Sequence, residues 1–238
     1  MKKIIQNVFR IGREDKPTPD APLTYRQMEY AANKRTHIIA HEVKKAFRFM
    51  ESYPKSVTIL GSARIKEGDP YYAKARRLAQ RISTELKYTV ITGGGPGIME
   101  AANRGAKESG GNSVGINIKL PHEQHPNPYL TAGLNFYYFF TRKVALFFSA
   151  EAYIAFPGGF GTFDELFEII TLVQTKKIPK VPIILVGSDF WNDFDAVIKK
   201  QAVEHVKSIN LEETKIYVIT DNDDEIIDII KRAPLRKE

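Results

Sequence analysis

Short apolar segments alternate with helical patterns from residue 57 onward, and three of these segments run directly into glycine-rich turns. The turns are Gly61-Ser62, Gly93–Gly97 and Pro157–Gly161. Strands that alternate with helices form crossover units, and consecutive units build a parallel sheet covered by helices on both faces. The apolar run VPIILV at 181–186 fits a central strand that is buried on both faces. The sequence therefore predicts an α/β fold with a doubly wound, mainly parallel sheet.

Hydrophobic periodicity places the individual elements. Helices are predicted where apolar residues recur every three to four positions, at Thr24–Met50, Tyr71–Leu86, Ile98–Glu108, Thr141–Ser149, Thr162–Gln174, Trp191–His205 and Asp223–Lys231. Strands are predicted over the short apolar runs, at Val57–Leu60, Thr89–Thr92, Val114–Ile118, Phe136–Phe140, Ala152–Phe156, Val181–Val186 and Ile216–Ile219. A loop containing proline and histidine is predicted over 121–131.

The glycine turns all follow the carboxyl ends of predicted strands, where open parallel sheets bind their ligands. We therefore expect them to converge and to form a phosphate site, because glycines let the backbone approach and helix starts attract anions. The candidate phosphate- and nucleotide-binding residues are Gly61, Ser62, Gly93, Gly94, Gly95, Gly97, Met99, Gly158, Gly159, Gly161 and Thr162. The turns match neither the dinucleotide fingerprint nor the nucleoside triphosphate loop, so a monophosphate is the better interpretation.

Three charged residues beside these turns are candidates for chemistry. Glu165 has two interpretations of equal weight, as a catalytic carboxylate or as the glutamate of a capping box that starts at Thr162. Arg142 lies at the start of a helix, where the helix dipole disfavours a cation. At a strand end it would instead point its planar fork at a phosphate or carboxylate. Lys143 is interpreted as a supporting or solvated residue.

Composition limits the class of protein. The chain is 43% hydrophobic and 26% charged, has no cysteine, and contains no apolar run near the ~20 residues of a membrane span. We therefore expect a cytoplasmic protein without a membrane contact or cysteine-based metal site. His37 and His41 have helical spacing but no evident third ligand, and His122 and His125 lie in a proline-rich loop. No metal and no cofactor are predicted.

Positive charge is concentrated at the N-terminus. Residues 1–50 hold 11 Lys and Arg against 5 Asp and Glu, whereas residues 51–238 hold 24 against 23. A nucleic-acid partner is the functional interpretation, but aromatic and basic residues do not interleave there, so a solvated helix face is favoured. The apolar stripe of the predicted helix Thr24–Met50 is expected to pack in a homo-oligomer.

Three segments in this order, GGGPGIMEAANRGA, Arg142-Lys143 and PGGFGTFDE, resemble the Rossmann-like "lonely guy" (LOG) family, long described as possible lysine decarboxylases. The family pattern PGGxGTxxE is matched in full by Pro157, Gly158, Gly159, Gly161, Thr162 and Glu165. The resemblance covers about residues 55–232. It implies an N-terminal basic helical extension at 1–54 and a Rossmann-like nucleotide-binding catalytic domain at 55–238.

The resemblance also implies an activity, namely hydrolysis of the N-glycosidic bond of AMP or a cytokinin riboside 5′-monophosphate. Arg142 and Glu165 match the family's catalytic pair. This chain departs from plant-type members in reading GGGPGIME for GGGxxGxMG and Phe139-Phe140-Thr141 before Arg142-Lys143 for MHx. Both departures fall in the nucleotide site and concern the base more than the reaction. The alternative is a non-catalytic carrier of a nucleotide or of molybdenum cofactor, which would need the glycine turns but not the charged pair.

Overall fold

The structure is a computed structural model that describes residues 24–120, 125–148 and 150–235. The described helices are α1 (Tyr25–Met50), α2 (Pro70–Arg81), α3 (Ile98–Glu108), α4 (Phe139–Phe148), α5 (Phe160–Gln174), α6 (Ser188–Ile198) and α7 (Asp223–Arg232). The described strands are β1 (Ser56–Leu60), β2 (Thr89–Thr92), β3 (Ser113–Ile118), β4 (Ala132–Phe136), β5 (Ala150–Ala155), β6 (Ile183–Leu185) and β7 (Tyr217–Ile219). π-helical segments extend α2 over Ile82–Leu86 and α6 over Lys199–His205, and a 3₁₀ helix at Leu211–Ile216 precedes β7.

All seven described strands form one sheet in the order β4-β3-β2-β1-β5-β6-β7, and every neighbouring pair is parallel. Strands β2, β3 and β4 thus lie on one side of β1, and strands β5, β6 and β7 lie on the other side. The predicted α/β class is confirmed. The two central strands β1 and β5 are buried along their whole length, as expected for parallel strands covered on both faces.

Successive side chains of β1 belong to two separate apolar cores. Ile59 belongs to a core with Leu78 of α2 and Ile98 of α3, whereas the next residue, Leu60, belongs to a core with Leu166 of α5. Because successive side chains of a strand point to opposite faces, these are the two faces of the sheet. The second core also contains Ala46 and Met50, the last buried residues of α1.

The ends of several helices are fixed by local sequence signals. Asp69 precedes α2, its carboxylate accepts the Tyr71 N–H at 2.8 Å, and Pro70 occupies the first helical position. Asn222 caps α7 in the same way through the N–H groups of Asp224 and Glu225. The first turn of α7 is acidic and its last turn basic, which suits the helix dipole.

The predicted strand Phe136–Phe140 is wrong. The strand is β4, which ends at Phe136, and helix α4 already begins at Phe139. Glu42 helps to set this turn, since its carboxylate accepts the Tyr137 N–H and the Thr141 hydroxyl, each at 2.6 Å. The aromatic run favours a strand by local propensity, and this contact from a residue far away in sequence overrides it.

The described residues fall into two compact units, one within 1–41 and the other within 42–238. The division predicted at residue 54 stays a prediction. The predicted N-terminal helix Thr24–Met50 corresponds to α1, which continues through residue 41 into the second unit.

Candidate active site

The three glycine turns meet at one edge of the sheet. The direction of chain progression reverses between β1 and β5, so the turns that follow these strands lie side by side at a topological switch point. Two hydrogen bonds join the turns, from the Ser62 N–H to the Pro157 carbonyl and from the Ile98 N–H to the Ser62 carbonyl, each at 3.0 Å. The predicted convergence of Gly61-Ser62 with the other two turns is therefore present in the structure.

The turn after β2 depends on glycine for both conformation and space. Gly94 and Gly97 each have φ of +73°, in the region that favours glycine. A Cβ at Gly97 would also collide with the backbone of Ser62, and one at Gly61 would lie 2.6 Å from the Ile98 side chain. These positions pack the first two turns against each other with no room for a side chain.

A buried network of amides and hydroxyls holds the turn after β2 from behind. Asn127 donates to two consecutive carbonyls of the turn. Its backbone N–H donates to Gly94 O at 2.9 Å, and its side-chain amide donates to Gly95 O at 3.0 Å. It also donates to Asn103 at 2.9 Å, and Asn103 accepts from the Thr92 hydroxyl at 2.6 Å. Thr92 Oγ1 in turn accepts the Gly94 N–H. Asn103 is completely buried and Asn127 nearly so.

Sequence reasoning missed both asparagines. The sequence does contain a signal for Asn103, because this residue lies in α3 among the small apolar residues Ala101, Ala102 and Ala106. A buried amide on such a face needs hydrogen-bond partners, so its position implies a polar network. Asn127 lies in no periodic sequence pattern, and its role becomes visible only in three dimensions.

The turn after β5 passes into α5 earlier than predicted. The helix begins at Phe160 rather than at Thr162, and its N-cap is Gly159, which supplies no side-chain hydrogen bond. Thr162 is buried inside the first turn, and a Cβ at Gly158 would collide with its hydroxyl. Gly159 and Gly161 are exposed at this end. The first-turn N–H groups of a helix lack partners within the helix, so this start is suited to an anion.

The capping-box interpretation of Glu165 is wrong. Thr162 lies three residues inside the helix and is not its N-cap. The Glu165 carboxylate instead accepts a hydrogen bond from Arg142 Nη1 at 2.7 Å. Glu165 therefore joins α5 to α4 and does not cap the helix start.

The Arg142–Glu165 ion pair lies within the convergent edge of the sheet. Arg142 Nε donates to the carbonyl of Ile116 in β3 at 2.7 Å, which fixes the guanidinium across the strand ends. A Cβ at Gly93 would collide with Arg142 Nη2 and would lie 2.7 Å from Met99 Sδ. The two charged side chains are only 9% and 13% exposed. Glycine at position 93 thus makes the space in which the arginine reaches the carboxylate.

Burial and charge act on Glu165 in opposite directions. Desolvation raises the pKa of its carboxyl, while the neighbouring Arg142 lowers it, and the net result is a pKa above the ordinary value of 4.5. A carboxylate that is buried, perturbed in pKa and paired with an arginine beside a glycine cradle has the character of a catalytic group.

Lys143 follows Arg142 but binds elsewhere. Its ammonium group makes ion pairs with Asp164, at 3.0 Å, and with Glu168, both on α5. Burial opposes its charge, but the bonds to Glu168 and Asp164 outweigh that effect and raise the pKa of Lys143. Lys143 therefore ties α4 to α5 beside the Arg142–Glu165 pair, and its supporting role in the site stays a prediction.

The structure describes four of the five histidines of the chain. His37 Nδ1 bonds to the carbonyl of Asn33 within α1 at 2.8 Å, and His122 lies outside the described residues. In the described part of the chain, no three His, Asp or Glu side chains are grouped as metal ligands would be. None of the helices in the described ranges combines the length and apolar content that a bilayer span requires.

Comparison with known proteins gives the family. A family model described as "Possible lysine decarboxylase" matches residues 99–230, more than half of the chain. A cytokinin riboside 5′-monophosphate phosphoribohydrolase from Rhodococcoides fascians is 28% identical over 155 residues, 63% of this chain and 77% of that protein. A probable enzyme of the same name from Oryza sativa subsp. japonica is 31% identical over 128 residues, but the match spans only 50% of its length. A pyrimidine/purine nucleotide 5′-monophosphate nucleosidase of Escherichia coli K12 is 28% identical over 195 residues, 78% of this chain and 42% of that protein.

Solved structures share the fold. The molybdenum cofactor binding protein of Rippkaea orientalis aligns with a TM-score of 0.55 at 21% identity, covering 75% of this chain and 96% of that one. A structural-genomics target gives the same TM-score at 23% identity, covering 75% and 99%. Likeness at this level of identity concerns the architecture alone. The family model and the phosphoribohydrolase relatives together place this chain in the LOG family.

Proposed function

We propose that this protein hydrolyses the N-glycosidic bond of a nucleoside 5′-monophosphate and releases the free base and ribose 5-phosphate. The observation that carries the proposal is the buried Arg142–Glu165 pair, held at the strand ends beside three glycine turns. The relatives named as phosphoribohydrolases and nucleosidases support the same reaction class.

In this proposal the 5′-phosphate binds at the start of α5. Gly159 and Gly161 leave the backbone accessible, and Gly158 makes room for Thr162, which adds a hydroxyl inside the first turn. Charge-assisted bonds from backbone N–H groups are strong because the acceptor is an anion. The phosphate does not react, so its binding energy serves to position the ribose for the chemical step.

Glu165 then acts on the ribose. Cleavage of an N-glycosidic bond passes through a cation-like state at the anomeric carbon, which a nearby carboxylate stabilises while it orients or deprotonates a water molecule. Arg142 lowers the pKa of Glu165 against the effect of burial and so favours the ionised carboxylate. Its planar fork also holds the carboxylate in one orientation, anchored through Nε to β3.

The alternative is a carrier that binds a nucleotide or molybdenum cofactor without turning it over. Such a carrier would use the glycine turns, but it gives no reason for a buried carboxylate with a raised pKa beside an arginine. The cytokinin preference is a separate question, since the substrate base is not determined by the pair or by the phosphate site.

Incubation with AMP and with adenosine, followed by quantification of free adenine, tests the proposal. We expect release of adenine from AMP and a kcat/KM on adenosine that is lower by at least about a thousandfold, because adenosine lacks the anchoring phosphate. Equal rates on the two substrates would show that the helix start of α5 does not bind the phosphate. Binding of AMP with no hydrolysis of any nucleoside monophosphate would favour the carrier.

A further inference from the structure

We propose that Asn117 reads the base of the substrate and makes adenine the preferred base of this enzyme. The inference rests on the proposed function, since it assigns a residue to the base end of the same site. Asn117 lies near the carboxyl end of β3, one residue after Ile116, whose carbonyl holds Arg142.

The Asn117 carboxamide faces the same glycine turn as the arginine. A Cβ at Gly93 would collide with Arg142, and a Cβ at the next residue, Gly94, would collide with Asn117 Oδ1. On the other side, a Cβ at Gly133 in β4 would lie 3.3 Å from Asn117 Nδ2. Two consecutive glycines thus make room for two polar side chains in succession, a guanidinium and then a carboxamide.

The Asn117 carboxamide uses little of its hydrogen-bonding capacity within the described residues. Its Nδ2 reaches one acceptor, the Gly115 carbonyl, at the long distance of 3.5 Å. Within the described ranges its Oδ1 accepts no hydrogen bond, although the side chain is half-buried. By contrast, Asn103 and Asn127 on the other side of the turn are held by bonds of 2.6–3.0 Å. Asn117 is therefore the asparagine of this turn that can pair with a ligand.

The order of groups along the sheet edge assigns that ligand. The proposed phosphate site follows β5, and Glu165 lies on the helix that continues from it. Arg142 contacts Glu165, lies against Gly93 after β2, and donates to the Ile116 carbonyl of β3. In a nucleoside monophosphate the ribose separates the phosphate from the base. With the phosphate at β5 and the anomeric carbon at Glu165, the base extends toward Gly94 and Asn117. The Met99 sulfur, which also faces Gly93, supplies an apolar contact for it.

A carboxamide offers one acceptor and one donor side by side. Adenine presents the complementary pair at its N6 amino group and N7, and asparagine pairs with both. Guanine presents two acceptors, O6 and N7, on the same edge, so one of its groups would face the amide oxygen unpaired. A bidentate pair of this kind discriminates between bases by about tenfold or more.

The test compares AMP, GMP and ribose 5-phosphate in four proteins: the wild type, Asn117→Ala, Asn117→Asp and the control Asn112→Ala. Asn112 is exposed and precedes the amino end of β3, whereas the site lies at the carboxyl ends of the strands, so the control removes the same side chain outside the site. Rates are measured as free base released, and affinities by calorimetry in a Glu165→Gln background, where bound nucleotide is not consumed. Asn117→Asp, which keeps the size and the acceptor but loses the donor, guards against a fold defect in Asn117→Ala.

We expect the wild type and Asn112→Ala to prefer AMP over GMP by about tenfold, and both Asn117 variants to lose that preference. Affinity for ribose 5-phosphate stays within twofold, since this ligand has no base. An unchanged AMP-to-GMP ratio, or an equal loss of affinity for ribose 5-phosphate, would overturn the inference. If AMP binds but is not cleaved, the proposed reaction fails and the affinity ratio still decides the role of Asn117. If AMP does not bind at all, both proposals fall.

Discussion

At the scale of single residues, Glu165 occupies a position that costs the folded protein free energy. Glu165→Gln keeps the shape of the side chain and an acceptor for Arg142, but it removes the charge that a cation-like transition state needs. We expect kcat on AMP to fall about a thousandfold, or roughly 4 kcal/mol of barrier, as measured by adenine release.

The control for this variant is Glu168→Gln, one turn further along α5. Glu168 binds Lys143, which keeps its second ion pair with Asp164 when Glu168 is changed. We expect this control to retain turnover within a fewfold of wild type. If Glu165→Gln also stays within a fewfold, Glu165 serves only to join α5 to α4 and the proposed mechanism is wrong.

Stability gives the same variant a second readout. The pKa of Glu165 is raised in the folded state, so the folded protein holds this proton more tightly than the unfolded chain does. The associated stability is present in full below pH 4.5 and is lost as the pH rises through the folded-state pKa. Glutamine avoids that loss, so Glu165→Gln should melt at or above the wild-type temperature at pH 7, with any gain disappearing toward pH 4.

At the scale of elements, the turn after β2 depends on the loop residue Asn127. Asn127→Ala deletes its side-chain bonds to Gly95 and Asn103, so the buried Gly95 carbonyl loses this donor and the Asn103 oxygen keeps the Thr92 hydroxyl. We expect the free energy of unfolding in urea to fall by about 1–3 kcal/mol and KM for AMP to rise, because the turn loses its support. Asn112→Ala, which truncates an exposed asparagine before β3, should leave both quantities unchanged. A normal KM in Asn127→Ala would show that the turn keeps its shape without the network.

The same scale shows what the sequence can and cannot predict. The strands at β1, β2 and β5 and the meeting of their glycine turns follow from local periodicity and from the geometry of parallel sheets. The boundary between β4 and α4 does not, because it is influenced by Glu42, 95 residues before Tyr137. The start of α5 was predicted late because Gly161 suggests a turn, whereas the helix includes it.

The site shows the same division between local and distant causes. Glycines at strand ends predict a ligand site, and a family motif selects Arg142 and Glu165 as candidate catalytic residues. Their direct contact joins two helices through residues that are 23 positions apart in the sequence, and no spacing rule predicts it. The competing capping-box interpretation fits the local sequence equally well. It is excluded by the observed start of α5, whose N-cap is Gly159 and not Thr162.

At the scale of the whole molecule, several large apolar side chains in the described residues are at least half exposed. On the N-terminal part of α1 these are Tyr25, Met28 and Tyr30, which are more than half exposed. On α4, Phe139 and Phe140 are also at least half exposed, although the sheet beneath has its own core. Exposed apolar groups of this number mark interaction surfaces more often than free surface.

We therefore predict that the protein is a homo-oligomer, at least a dimer, in which the apolar residues of α1 are buried. Light scattering at micromolar concentration should give at least twice the chain mass of 27.0 kDa. Met28→Asp places a charge in the apolar surface and should raise the dissociation constant at least about tenfold, since burying an unpaired carboxylate is costly. Glu29→Gln changes the adjacent exposed residue and should leave the mass unchanged. A wild-type mass of 27.0 kDa across this concentration range would rule out the oligomer, and an unaffected Met28→Asp would place the interface elsewhere on the molecule.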